Sequence, residues 1–78
     1  MTEAEETRQR IIRTAQELFG KYGYSMANTN LIAAELGISK RTLYENFPSK
    51  EQLLLECVHD IMEKAKALLN DILDKIKD

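Results

Sequence analysis

Ile32-Ala33-Ala34-Glu35-Leu36-Gly37-Ile38-Ser39-Lys40-Arg41-Thr42-Leu43-Tyr44 is the stretch that decides the fold. Two helices that cross steeply through a three- or four-residue turn need a small residue at their closest approach. They also need a turn residue that accepts positive φ. Ala33 or Ala34 meets the first need, and Gly37, four residues after Ala33, meets the second. Ile32, Leu36, Ile38 and Leu43 supply apolar contacts that lock the angle. Ser39 caps a helix containing Lys40 to Asn46, with Leu43 and Phe47 as its apolar edge and Pro48 as its stop. A helical hairpin with a glycine in its turn is the alternative that spacing alone leaves open.

Working outward, Asn28 is placed to cap the second helix, although no Glu or Gln follows at the third position to complete a capping box. The first helix is expected from Thr7 to Tyr22, because Ile11, Ile12, Ala15, Leu18, Phe19 and Tyr22 recur at three- and four-residue steps. Gly20 and Gly23 bracket the break that follows. The acidic residues before Thr7 read as a frayed, solvated start. On the other side, Ser49-Lys50-Glu51-Gln52 has the form of a capping box, and nothing after it breaks a fourth helix before Asp78. Leu54, Val58, Ile61, Ala65, Leu68 and Ile72 recur as one stripe, with Met62, Leu69 and Ile76 beside it; its first half is expected to pack on the other helices, while Leu68, Leu69, Ile72, Leu73 and Ile76 overhang them.

Seventy-eight residues allow one small domain, and the 44% hydrophobic and 31% charged content is that of a folded soluble chain rather than a disordered one. The single cysteine, Cys57, excludes an internal disulfide. The longest apolar run, Leu53-Leu54-Leu55, is far short of the ~20 residues that span a bilayer, and the acidic start is unlike a signal peptide. A cytoplasmic protein with no membrane role is expected. The net charge of −2 hides a pattern. Residues 1–6 carry −3, residues 7–50 carry +4 and residues 51–78 carry −3. Phosphate binding depends on such a local basic block more than on the total.

That block contains the third helix, which keeps Lys40, Arg41, Thr42, Tyr44, Glu45 and Asn46 outward or sideways once Leu43 and Phe47 face in. Arg pairs bidentately with guanine, Asn with adenine, and Thr offers a hydroxyl to phosphate or a methyl to thymine. The Tyr44 phenol can donate to a phosphate oxygen. A solvated helix face has the same composition, and Tyr44 could equally be partly core.

The run Gly23-Tyr24, Ile32-Ala33, Gly37-Ile38-Ser39-Lys40, Thr42-Leu43-Tyr44 and Phe47-Pro48-Ser49-Lys50-Glu51 closely resembles the N-terminal domain of tetracycline-repressor-like (TetR family) transcriptional regulators. The resemblance covers about residues 7–58. It implies an all-α fold, a three-helix helix-turn-helix (homeodomain-like) bundle followed by a long fourth helix. It further implies a repressor, less often an activator, that binds a palindromic operator as a homodimer and is released by a small ligand. Positions matching Lys40, Arg41, Thr42, Tyr44 and Asn46 contact bases or phosphates in that family, and the one matching Lys50 grips the backbone. With Asn28, Thr29 and Ser39 these form the expected DNA-binding set. Lys50 also joins a cation to the free amides of a helix start, a good phosphate clamp. Glu45, Asn46 and Leu31 depart from common family residues, and an acid at 45 would repel phosphate unless Arg41, four residues earlier, pairs with it.

The expected organisation is a flexible acidic start (1–6), a helix-turn-helix domain (7–48) and a connecting helix (49–78). Family members carry a second helical domain that binds the inducer and makes the dimer, so the chain is expected to be a fragment of a longer regulator. Exposed apolar residues late in the fourth helix would be covered by that domain, or by a second copy in a short coiled-coil-like pair. No enzyme or cofactor is expected. His59 is the only histidine, and Cys57 lies two residues away and points elsewhere on a helix. A small helical protein-interaction module without DNA binding is the alternative reading.

Overall fold

Side-chain caps decide where the helices of this chain begin. In the computed structural model, which describes residues 2–77, four helices follow one another: α1 (Glu3–Tyr22), α2 (Thr29–Leu36), α3 (Lys40–Asn46) and α4 (Lys50–Lys77). Asn28 accepts from the Leu31 amide at 2.8 Å, Ser39 from Thr42 at 3.1 Å and Ser49 from Gln52 at 3.1 Å. Each of these helices therefore starts where its cap predicts.

The start of α1 corrects the sequence reading. The helix begins at Glu3, inside the stretch expected to fray, because Thr2 accepts from the Glu5 amide and Glu3, Glu5 and Glu6 occupy the first turn. Acids there are favoured by the helix dipole. The other end falls at Tyr22, as expected. Gly20 lies within α1, and the chain turns only at Gly23, where φ is +84°.

The core is drawn from all four helices and two linking residues, Ala27 and Phe47. Ile11, Ile12, Ala15 and Leu18 of α1 face Ile32 and Ala33 of α2, Leu43 of α3, Phe47 and Leu53, with Ala27 and Cys57 closing the sides. Phe47, Ile11, Ile32, Leu43 and Leu53 are fully buried, each contributing about 1.5–3 kcal/mol relative to an exposed side chain. Tyr22, expected on the apolar stripe, is 48% exposed.

The buried edge of α4 is Leu53 and Cys57, one residue earlier than the expected stripe. Leu54 is half-buried and Val58 and Ile61 are exposed, while Leu68 and Ile72 are exposed as the expected overhang requires. Gln16 of α1 fixes this register by donating to the Cys57 carbonyl at 3.1 Å and to Asp60 Oδ2 at 3.0 Å. From Ile61 to Lys77 every residue of α4 is exposed.

Candidate nucleic-acid interface

The turn between α2 and α3 fixes the orientation of α3. Gly37 adopts left-handed φ and ψ of +70° and +29°. Its amide donates to Ala34 at 3.1 Å and the Ile38 amide donates to Ala33 at 3.1 Å, the paired bonds of a Schellman stop. Ala33 is buried and Ala34 exposed, so Ala33 is the small residue at the crossing. Leu43 and Phe47, each 1% exposed, then pin α3 by its inner edge.

With that edge fixed, Lys40, Arg41, Tyr44 and Glu45 are exposed, while Thr42 and Asn46 are half-buried. No acid stands in the first turn of α2 or α3, in contrast to the three in α1. The positive ends of both helix dipoles are thus left without an acid, that of α3 beside Lys40 and Arg41. The Tyr44 hydroxyl lies 3.0 Å from the Thr29 hydroxyl, across the two helices. At 41% exposure Tyr44 belongs to the surface, and its phenol is held in place by α2 rather than swinging free.

The nine expected site residues fall into three groups. Thr29, Lys40, Arg41 and Tyr44 present functional atoms outward. Arg41 Nε donates to Glu45 Oε1 at 3.0 Å, and both side chains stay largely exposed, so this pair is a weak one. Asn28, Ser39, Thr42 and Asn46 use their side chains to hold the helices. Ser39 donates to Thr42 Oγ1 at 3.0 Å besides capping α3, and Asn46 Nδ2 donates back to the Thr42 carbonyl at 2.9 Å. Lys50 stands apart at the start of α4, where its ammonium donates to the Tyr24 carbonyl.

Sequence reasoning missed Arg8 and the pair Phe19–Tyr24. Arg8 donates to the Asn46 carbonyl at 3.3 Å, pairs with Glu56 at 3.1 Å and lies 4.5 Å over the Phe47 ring. It ties α1 to the C-terminal end of α3 and to the first half of α4. Its place four residues before Ile12 on the inward side of α1 was the available signal. The other pair meets Lys50, whose ammonium lies 4.1 Å from the Tyr24 ring centroid and 5.9 Å from that of Phe19.

Other chemistry is weakly represented. An open cleft of about 460 Å³ between α1 and α4, lined by Glu6, Gln9, Arg10, Arg13 and Lys64, shares no residue with the α3 face. It is open to solvent and lined only by long charged or polar side chains, without the hydrophobic and aromatic residues of a small-molecule site. Burial, then the Asp60 and Glu56 charges, pushes the Cys57 thiol up to about 11, and its Sγ faces the Ile12 carbonyl at 3.7 Å. A thiol so protonated is a packing group rather than a nucleophile. Among the described residues no cluster of His, Cys, Asp and Glu could hold a metal ion, and no helix is long and apolar enough to cross a membrane.

Comparison with known proteins bears on the same segment. The profile of bacterial regulatory proteins of the tetR family matches residues 11–57. The chain is 36% identical over 75 residues to the HTH-type transcriptional regulator UidR of Escherichia coli K12, covering 96% of this chain and 38% of that protein. It is 42% identical over 74 residues to the uncharacterized HTH-type transcriptional regulator YerO of Bacillus subtilis, covering 90% of this chain and 26% of YerO. With the HTH-type transcriptional regulator LmrA of Bacillus subtilis it shares 34% over 74 residues, covering 94% of this chain and 39% of LmrA. The chain thus spans well under half the length of these relatives. No solved structure matches it.

Proposed function

Because this chain belongs to the tetR family of bacterial regulatory proteins and carries its N-terminal DNA-binding domain, we propose that α3 enters the major groove of a double-stranded operator. The observation that carries this reading is the outer face of α3, where Lys40 and Arg41 stand exposed beside a tyrosine fixed by α2. Arg41 is the base reader. Its pair with Glu45 is exposed, so exchanging it for a guanine edge costs only about 0.3–0.5 kcal/mol. Lys40, Tyr44 and Thr29 grip phosphates, as does Lys50 at the start of α4. Asn28, Ser39, Thr42 and Asn46 act mainly by aiming the two helices, with the Thr42 and Ser39 hydroxyls open to a backbone contact.

The regulator headed by this domain works in the cytoplasm, where the chromosome lies. It binds a palindromic operator as a homodimer and represses until a small molecule, held outside these residues, releases it. Its relatives' names as transcriptional regulators, and their greater length, support that extension.

Selection from a random duplex pool tests the reading. Arg41→Ala should lose preference at one base position, by about 1–3 kcal/mol, and leave the others ranked as before. An unchanged preference removes Arg41 as the reader. The acidic total and the bare apolar side of α4 favour a second reading, a protein-interaction module. A mobility shift on random duplex that weakens with salt separates the two, since only the DNA reading produces it.

A further inference from the structure

Lys50 occupies an electrostatically poor place. It is the first residue of a 28-residue helix, at the end where the macrodipole is positive, with Glu51 as the one acid in the first turn. A lysine there is expected to swing into solvent. Instead its side chain reaches back over 26 residues of sequence to the turn between α1 and α2. The ammonium donates to the Tyr24 carbonyl and rests against the Tyr24 and Phe19 rings, which themselves pack 5.3 Å apart at 56°. Two ring faces and one carbonyl, from outside α4, supply the negative potential that the helix end denies.

We infer that Tyr24, backed by Phe19, is a positioning residue for DNA binding: its ring holds the Lys50 ammonium at the start of α4 before phosphate arrives. This rests on the reading of Lys50 as a phosphate contact. An ammonium has three donors and the Tyr24 carbonyl takes one, so two N–H groups stay available to an oxyanion. Lys50 is half-buried, which leaves those groups a route to solvent. A lysine ordered in advance loses less freedom on binding, a gain of about 3- to 10-fold in affinity for one long side chain.

A double-mutant cycle on the whole chain, read by fluorescence anisotropy with a random-sequence duplex over a salt series, tests it. Tyr24→Leu keeps apolar bulk and the carbonyl but removes the ring. It should weaken binding about 3- to 10-fold and preserve the slope of log affinity against log salt, because the cation is still there. In a Lys50→Ala background the same change should do nothing, and Tyr24→Phe should bind like the parent. Equal weakening in both backgrounds, no weakening in either, or a Tyr24→Phe protein as weak as Tyr24→Leu overturns the inference and leaves the Lys50 contact standing. A Lys50→Ala protein with unchanged affinity and salt slope overturns both. If melting shows Tyr24→Leu unfolded, Phe19→Leu replaces it in the cycle, with the same outcomes deciding at the lower end of that range.

Discussion

The two halves of α4 carry similar apolar content and meet different fates. In the first half Leu53 and Cys57 are buried against α1. In the second, Leu68 is 61% exposed and Ile76 71%. What differs is length of cover. α1, with 20 residues, spans about 30 Å, whereas α4, with 28, runs about 42 Å. An amphipathic stripe records a demand for cover, and another element decides whether the demand is met. Beyond Asp60 the helix rests on local terms, such as the pairs Asp60–Lys64 at 3.0 Å and Asp71–Lys75 at 3.3 Å. Each is worth a few tenths of a kcal/mol.

The largest expected effect breaks the comparison if it fails. Phe47→Ala empties a fully buried aromatic site and should cost about 3–5 kcal/mol, enough to unfold much of a small domain. Ile72→Ala, on the bare stripe, should stay within about 0.5 kcal/mol. Urea melts followed by circular dichroism give both numbers. A loss at Ile72 comparable to that at Phe47 means the second half of α4 is covered in solution, and the contrast drawn above disappears.

Within the head, two glycines sharpen the contrast by having opposite signs. A Cβ added at Gly37 or at Gly20 meets nothing within 4 Å, so crowding separates neither case. Gly37 has φ of +70°, and Gly37→Val should cost about 1–3 kcal/mol through backbone strain alone, with Gly37→Asn far milder. Gly20 lies inside α1, and Gly20→Ala should stabilise by about 0.5–1 kcal/mol. Thermal melts of the three variants suffice. Valine tolerated at Gly37 means the turn does not hold the αL geometry on which the placement of α3 depends.

These results also mark what could be read in advance. The bounds of α2 and α3 were legible because Asn28, Gly37 and Ser39 each act within four residues of sequence. The buried side of α4 was not. Leu53, Leu54, Leu55, Cys57, Val58, Ile61 and Met62 surround the helix, so periodicity offered several seams and only the approach of α1 chose one. At the interface, the residues facing out of α3 were legible, since Leu43 and Phe47 define the opposite side. The Arg41–Glu45 pair was also visible, being one turn long. The return of Asn46 to the Thr42 carbonyl depends on a rotamer, and the reach of Lys50 to Tyr24 on chain closure over 26 residues; neither leaves a periodic trace.

The smallest effect lies at the border of the two halves, where Asp60 makes the last hydrogen bond between α4 and α1. The Gln16 amide, then the Lys64 ammonium, hold its carboxyl below the ordinary value of 3.8, against a smaller opposing pull from burial. The consequence for stability follows from the sign. A carboxylate with a depressed folded-state pKa stabilises the fold above its unfolded value, and that contribution fades as pH falls through the folded one. The window is therefore acidic, below 3.8, and the Lys64 share of the contribution is slight because that lysine stays 74% exposed. Gln16→Leu keeps the side chain's bulk and removes its donor, so the Asp60 pKa should rise toward the ordinary value. Carbon-detected NMR titration of the Asp60 carboxyl in parent and variant reads this directly, without relying on a small change in melting. If Asp60 titrates identically in both proteins, α1 does not reach it in solution. The covered half of α4 then ends at Cys57, one turn earlier than the contacts described above.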